Sequence, residues 1–444
     1  MLLKKERETL KEGGTHMMLK KVVALGTVAA MSISMLAGCS GGSAESSSEV
    51  SKSADGKVQL ELLSTKAENK ETLQKLVDAF NASQDKVEVQ LTQPADAGTV
   101  LKTRMTKDDL PEMVAMGGDA TYVELQSAGV LADISDADFL GDINESYMSM
   151  LYALNANQEE KAYGVPYATN SSGIIYNKTI FEENNLEVPT TFTELLNVCE
   201  TLKAAGITPF ELTFKDAWTI LPAWNSMAPV LQPENFYIDK KEGKTTFADT
   251  HTEVLEKYLQ LIPYAQNDYM GTSYDDGNKK FAAGEAAMMM NGSWAITEIR
   301  KANPDVQVDQ FKFPATDDAS KNMVTSGVDV LLGVTTSCGD VDAAKEFIAF
   351  MVKQENAQTY ANEQFAFSAV KGVEQNDPTV AGVKADIEVG NVVDFPDHYY
   401  VNGLDLSADL SNFFLEKNNG KDDAANIADT LKKIDTDYDT LNIN

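Results

Sequence analysis

Histidine is scarce in this sequence, with three in 444 residues. No His-Glu-x-x-His pattern occurs, so a histidine-rich metal site is not expected. Cysteine is as rare: Cys39, Cys199 and Cys338 are the three. None forms a Cys-x-x-Cys pair. Cys199 shares an amphipathic segment with Leu195, Leu196 and Leu202, the setting of a buried structural thiol. Cys338 follows Thr336 and Ser337 in a turn. Neither a disulfide nor a cofactor is expected. Positive charge is in deficit, with 37 Lys and Arg against 68 Asp and Glu and a formal net charge of -31. Such a chain repels a phosphate backbone, which excludes nucleic acid as a partner. It also offers no broad basic patch for anionic lipid. The acidic surplus serves solubility; an attraction for cationic solutes stays open as the sharper alternative. A long apolar run is missing too. The run 22–36 is broken by Gly26, Thr27, Ser32 and Ser34, and it falls short of the roughly 20 residues of a membrane span.

What the N-terminus does contain is ordered like a secretory signal. Lys20 and Lys21 give a basic start, the broken apolar run follows, and Ala37 and Gly38 precede Cys39. A basic region, a short apolar region and small residues at a cleavage site define such signals. Leu36-Ala37-Gly38-Cys39 resembles a lipobox, which implies diacylglyceryl transfer to the Cys39 thiol and cleavage before it. The stretch 40–54 carries seven serines and two glycines. It cannot bury apolar surface and reads as a flexible tether, 39–56, holding a folded part off a membrane. A diacyl modification supplies the more-than-one-chain anchor that stable attachment requires. Residues 1–16 fit no signal. Lys11-Glu12-Gly13-Gly14 is what a purine-rich ribosome-binding site looks like when translated, so Met17 or Met18 is the expected start and 1–38 the expected signal region.

The remaining 43% hydrophobic and 24% charged chain is ordinary for a globular protein and long enough for two or three domains. Val58, Leu60 and Leu62 alternate as in a strand. Leu73, Leu76, Val77 and Phe80 then mark one face of a helix, and Val87, Val89 and Leu91 alternate again. Strand, helix, strand in so short a span is a βαβ unit, hence a parallel sheet. Ala344, Phe347, Ile348 and Met351 mark another helix face. Ile427, Leu431, Ile434, Tyr438 and Leu441 mark a last amphipathic helix. No short repeat is present.

Several motifs then occur in a fixed order. They are Leu110-Pro111-Glu112 to Asp119 followed by Gly129-Val130-Leu131-Ala132-Asp133; Tyr163-Gly164-Val165-Pro166-Tyr167 followed by Tyr176-Asn177-Lys178 and Pro189-Thr190-Thr191-Phe192-Thr193-Glu194-Leu195; Phe281, Gly284-Glu285-Ala286-Ala287-Met288 and Asn291-Gly292-Ser293-Trp294; and Ala344-Lys345-Glu346-Phe347. In order and spacing the chain resembles family 1 of the extracellular solute-binding proteins, the carbohydrate group that includes the periplasmic maltodextrin-binding protein. The resemblance covers about residues 58–415. It implies an α/β, two-lobed periplasmic-binding-protein fold of type II-like form, with a ligand cleft between lobes and hinge closure on the ligand. The crossings it implies lie near Ala168, Arg300 and Phe365. Lobe one would then be 57–167 plus 301–364, and lobe two 168–300 plus 365–444.

A sugar shows an apolar C–H face and a rim of hydroxyls, so its site needs aromatic platforms and polar side chains. The resemblance makes Trp294 the foremost platform, with a core tryptophan as the alternative. It places Trp218 at another aromatic position, while Trp224 reads as core. Tyr167, Asn170 and Ser171, at a lobe crossing, are either polar contacts or ordinary strand and turn residues. Asp119, after Gly117 and Gly118, stands where a strand ends and open α/β sheets bind ligands; it either receives hydroxyls or caps a helix. Lys66 and Glu68 share that topological position after the first strand, with the same alternative. Asp329, and one of His398, Tyr399 and Tyr400, complete the candidates. The segment 309–326 departs from the family pattern, which leaves lobe-one contacts beyond Asp119 undefined. The expected function is that of a non-catalytic, monomeric sugar-binding lipoprotein of an ABC importer, working with membrane subunits at the outer face of a bacterial membrane. A binding protein for a polyamine, or a secreted glycoside hydrolase with paired carboxylates, are the alternatives; no hydrolase motif stands out.

Overall fold

A computed structural model describes residues 50–442, apart from 54 and 95. The signal segment, Cys39 and most of the serine-rich stretch lie outside the described residues. The expected βαβ unit opens the fold. β1 (Val58–Ser64) and β2 (Val87–Thr92) run parallel, with Val58 opposite Val87 and Leu63 opposite Thr92. The helix Lys70–Ser83 between them buries Leu73, Leu76, Val77 and Phe80. Phe80 meets Phe347 edge-on at 5.1 Å, so the helix Val341–Met351 covers the same face. β3 (Met113–Met116) is buried along its whole length, as expected of a strand covered on both faces.

β4 (Val165–Thr169), β10 (Val328–Val334) and β11 (Phe367–Ser368) complete a first sheet in the order β11-β4-β10-β3-β1-β2. The second sheet contains β5 (Ser172–Asn177), β6 (Thr208–Phe210), β7 (Ala286–Gly292), β8 (Val308–Phe311), β9 (Val324–Thr325) and β12 (Val392–Val393). Its order is β12-β9-β5-β7-β6, with β8 also on β5. Local chemistry sets the element ends here. The Pro189 to Leu195 motif is a capping box: Thr191 accepts from the Glu194 amide while Glu194 reaches back to the Thr191 amide, starting the helix Phe192–Ala204. Gly284 has φ of +81°, a left-handed conformation that ends the helix Tyr274–Ala282 and aims the chain into β7. The last helix, Asp423–Leu441, buries Ile427, Leu431, Ile434 and Tyr438, while Leu441 stays exposed.

The chain passes between sheets at three places. The first is 170–171, between β4 and β5. The second is 326–327, between β9 and β10, not near Arg300. β8 pairs antiparallel with Ile174–Asn177 of β5, and Thr325 of β9 pairs with Ser172. Those pairings keep 301–325 with lobe two; Arg300 is merely in the last turn of the helix Trp294–Ala302. The third crossing follows β11 rather than falling at Phe365, because Phe367 still pairs with Thr169. Phe365 is instead the left-handed cap of the helix Gln354–Gln364, with the Arg300 guanidinium over its ring at 5.3 Å. By Val380 and Val383 the chain packs in the second lobe. Lobe one is thus built from 58–169 and 328–370, lobe two from 172–325 and 380–442.

Candidate functional site

Strand ends create the site. Lys66 and Glu68 follow β1, Asp329 opens β10, Asn170 is in the first crossing, and Trp294 begins a helix directly after β7. Lys66, Glu68, Asn170, Ser293, Trp294, Thr297, Asp329, Gln364 and Ala366 line one narrow cavity. Both lobes contribute, and five of the expected residues meet there. Lys66 Nζ donates to both carboxylate oxygens of Asp329, at 2.7 and 2.6 Å. Asn170 Nδ2 donates to Asp329 Oδ1 at 3.1 Å. Lys66 and Asp329 are therefore partners rather than helix caps, and they hold each other in place at the cavity wall.

Trp294 is half-buried, neither a core residue nor a free one. Its ring folds back over Gly292, where a Cβ would lie 2.0 Å from the indole, so only glycine permits this pose. Phe395 stands beside it at 6.4 Å between centroids, and His398 lies 5.3 Å beyond Phe395. Ser293 Oγ accepts from the Ser171 amide at 3.2 Å, and Ser171 Oγ donates to Gln310 Oε1 at 2.7 Å. Ser171 is thus a buried brace of the crossing and does not face the cavity.

Other expected residues fall elsewhere. Asp119 caps the helix Ala120–Ser127, accepting from the Thr121 amide at 2.8 Å. Tyr167 is in the core of lobe one, 1% exposed and edge-on to Tyr360 at 5.1 Å. Its ring faces the helix Gln354–Gln364, where its hydroxyl donates to the Asn356 carbonyl at 3.4 Å. Tyr400 is core in lobe two and accepts from Trp224 Nε1 at 3.2 Å. Trp224 is fully buried, stacked on His251 at 5.2 Å. Trp218 lies outside the cavity, 42% exposed, leaning on Tyr274 at 4.9 Å.

The 394–399 segment forms a charged cluster next to the aromatic row. His398 Nδ1 is 3.2 Å from Asp394 Oδ1, an ion-pair distance without hydrogen-bond alignment. Tyr399 donates to Asp394 Oδ2 at 2.9 Å and stacks on Tyr237. Burial would lower the His398 pKa, but Asp394, Asp397 and Asp119 outweigh it and raise it to about 9. The imidazole is therefore charged at neutral pH. Burial raises the Asp397 carboxyl. Sequence reading missed Phe395, Asp394 and Asp397, and also Ser293, Thr297, Gln364 and Ala366. The Asp-Phe-Pro-Asp-His run was visible, but nothing in it signalled that it faces the crossing. Among the described residues, no group of three or more His, Cys, Asp or Glu is arranged to hold a metal ion. No described helix is long and apolar enough to cross a membrane.

Two lobes of α/β structure with a polar and aromatic cavity between them define a solute-binding protein as a class. The chain belongs to the bacterial extracellular solute-binding protein family, whose model matches residues 64–358. It is 29% identical over 369 residues to the multiple sugar-binding protein of Streptococcus mutans, covering 80% of this chain and 84% of that one. It is 24% identical over 356 residues to the melibiose/raffinose/stachyose-binding protein MelE of Bacillus subtilis, covering 78% and 80%. Among solved structures, RafE in complex with raffinose superposes with a TM-score of 0.74 at 24% identity, covering 87% of this chain and all of that one. At that identity the likeness is one of fold.

Proposed function

We propose that this protein is the substrate-capturing component of an ABC sugar importer, taking a mono- or oligosaccharide between its lobes. The carrying observation is the cavity itself: the Trp294 indole from one lobe, opposed by the Lys66–Asp329 pair and Glu68 from the other, with Asn170 in the crossing. An aromatic face suits the C–H side of a sugar ring, and the polar groups suit its hydroxyls. The names of the multiple sugar-binding and melibiose/raffinose/stachyose-binding relatives support the same reading. The free space within the cavity, about 10 Å³, is far below the roughly 300–1,000 Å³ of usual ligand pockets. The lobes therefore open to admit a ligand and close on it, a motion driven only by tighter binding to the closed form. No catalytic step is assigned.

Outside the described residues, the lipobox-like stretch ending at Cys39 supports anchoring of the protein to the outer face of the membrane. A thermal-shift screen over melibiose, raffinose, stachyose and simple hexoses, with putrescine as the cationic comparison, tests the ligand class. A sugar should raise the melting temperature and be recovered unchanged. Stabilisation by putrescine alone, weakening with salt, would replace the sugar reading, and conversion of the sugar to products would mark an enzyme.

A further inference from the structure

Polar atoms buried in a folded protein almost always have a hydrogen-bond partner, and an unpartnered one calls for an explanation. In lobe two several such atoms occur on two neighbouring helices. The Tyr274 hydroxyl, both amide atoms of Asn278 and Nε1 of Trp294 are buried without a partner. Asn278 is only 1% exposed. Tyr274 and Asn278 are one turn apart on the helix Tyr274–Ala282. Phe281, further along that face, packs with Ile296 and Ile299 of the helix that Trp294 begins. The two helices thus lie side by side, and the orphan atoms fall toward their N-terminal ends. That end of the helix pair borders the cavity, because Ser293, Trp294 and Thr297 line it. Burial is the main influence on the Tyr274 phenol and raises its pKa. Asn278 is the next influence in size and lowers it, without reaching hydrogen-bond geometry.

We propose that Tyr274, Asn278 and the Trp294 indole N–H form a hydroxyl-recognising subsite on lobe two, for a pair of neighbouring hydroxyls on a neutral sugar ring. The chemistry matches. A carboxamide offers an acceptor and two donors, a phenol offers one of each, and an indole offers a donor. Adjacent ring hydroxyls each donate and accept, so they satisfy this set in full. None of the three groups carries charge at neutral pH, so none supplies a counter-ion for an amine or a carboxylate. Trp218 leans on Tyr274 from the solvent side.

This inference rests on the sugar reading above, and its test separates the two. Tyr274→Phe removes one oxygen and keeps the ring. Its melting temperature without ligand and its raffinose affinity by calorimetry are compared with wild type, and Asn278→Leu is treated in the same way. An unpartnered hydroxyl contributes nothing to the empty protein, so the ligand-free melting temperature of Tyr274→Phe should be unchanged or higher. Raffinose affinity should fall about 5- to 50-fold in each variant. Affinity within twofold of wild type in both variants overturns the subsite. So does a lower ligand-free melting temperature for Tyr274→Phe, because it places the hydroxyl in a bond of the empty protein. The second arm needs no sugar, so a lowered ligand-free melting temperature overturns the subsite whatever wild type binds, whereas a wild type that binds no sugar sinks the sugar reading and the subsite with it.

Discussion

At the scale of single residues, Trp294 carries the sharpest expectation. Its indole is half-buried, with one side on Gly292 and Phe395 nearby. Replacing it with alanine should weaken sugar binding by about 1–3 kcal/mol, by analogy with base–aromatic stacking, or about 5- to 150-fold. Trp294→Phe should lose less, because an aromatic plane remains. A fully buried tryptophan would behave differently, with alanine costing about 3–5 kcal/mol of stability. Melting temperature and affinity measured on one preparation therefore separate the roles, and a stable Trp294→Ala protein with wild-type affinity would remove Trp294 from the site. Lys66, Glu68, Asn170 and Asp329 were legible for a simple reason: they stand at the ends of strands, where an open sheet places its ligands. Tyr167, Ser171 and Tyr400 stand in the same neighbourhoods yet face inward. A single-residue step on a strand or turn changes which side a side chain takes, and spacing alone does not say which side is the cleft. Tyr274 and Asn278 carried no signal at all, since an Asn on a helix face acquires meaning only when its buried surroundings are known.

At the scale of elements, the final helix shows how a sequence pattern and a tertiary contact divide the work. The stripe of Ile427, Leu431, Ile434 and Tyr438 was readable as an amphipathic helix. Between those positions the helix carries several acidic residues. One of them, Asp435, is nearly buried: it accepts from the Phe247 and Ala248 amides at 2.8 and 3.1 Å, capping the short helix Phe247–Thr250. It also pairs with Lys240, which is 2% exposed, at 2.9 Å. Lys240 further reaches Asp439 at 2.7 Å, though Asp439 is mostly solvated and adds little. Lys240→Ala leaves Asp435 without its cation, and should destabilise the protein by about 3–5 kcal/mol. Chemical denaturation of the variant reads this directly; a loss below about 1 kcal/mol would show that the amide bonds alone satisfy Asp435. Sugar affinity of the folded fraction should not change, because this contact is remote from the residues lining the cavity.

At the scale of the whole molecule, buried titratable groups give the stability a dependence on pH. Burial pushes Glu211 up to about 7, against a partial pull from Lys280 at 3.7 Å. A carboxyl with a raised folded pKa contributes stability that is complete below its unfolded value of 4.5 and is lost as pH rises through 7. Burial pushes His251 down to about 3, so its contribution is present above 6.5 and is lost as pH falls. Glu211→Gln should therefore raise the melting temperature at pH 8 relative to wild type by more than it does at pH 5. The difference should correspond to about 1–3 kcal/mol. An equal effect at both pH values would show that Glu211 is not held neutral by the fold. Anchoring also belongs to this scale: Cys39→Ala should release the protein from membrane fractions, and retention equal to wild type would defeat the lipid-anchor proposal.

What the sequence determined by itself is what depends on neighbours along the chain. The βαβ start, the capping box at Thr191, the amphipathic last helix and the ordered motifs of the family are all local patterns, and each needs only a few adjacent side chains to be read. The expectation of no nucleic-acid partner likewise rests on net charge alone. Only the tertiary structure decided where the lobes divide. β8 and β9 are short, and the segment around them lacks a family signature; their place in the second sheet is fixed by pairing with β5, more than a hundred residues earlier in the chain. The pairing of Lys66 with Asp329 is of the same kind, joining residues 263 positions apart. Such contacts are selected by the closure of two sheets around a shared crossing, and no local periodicity encodes them.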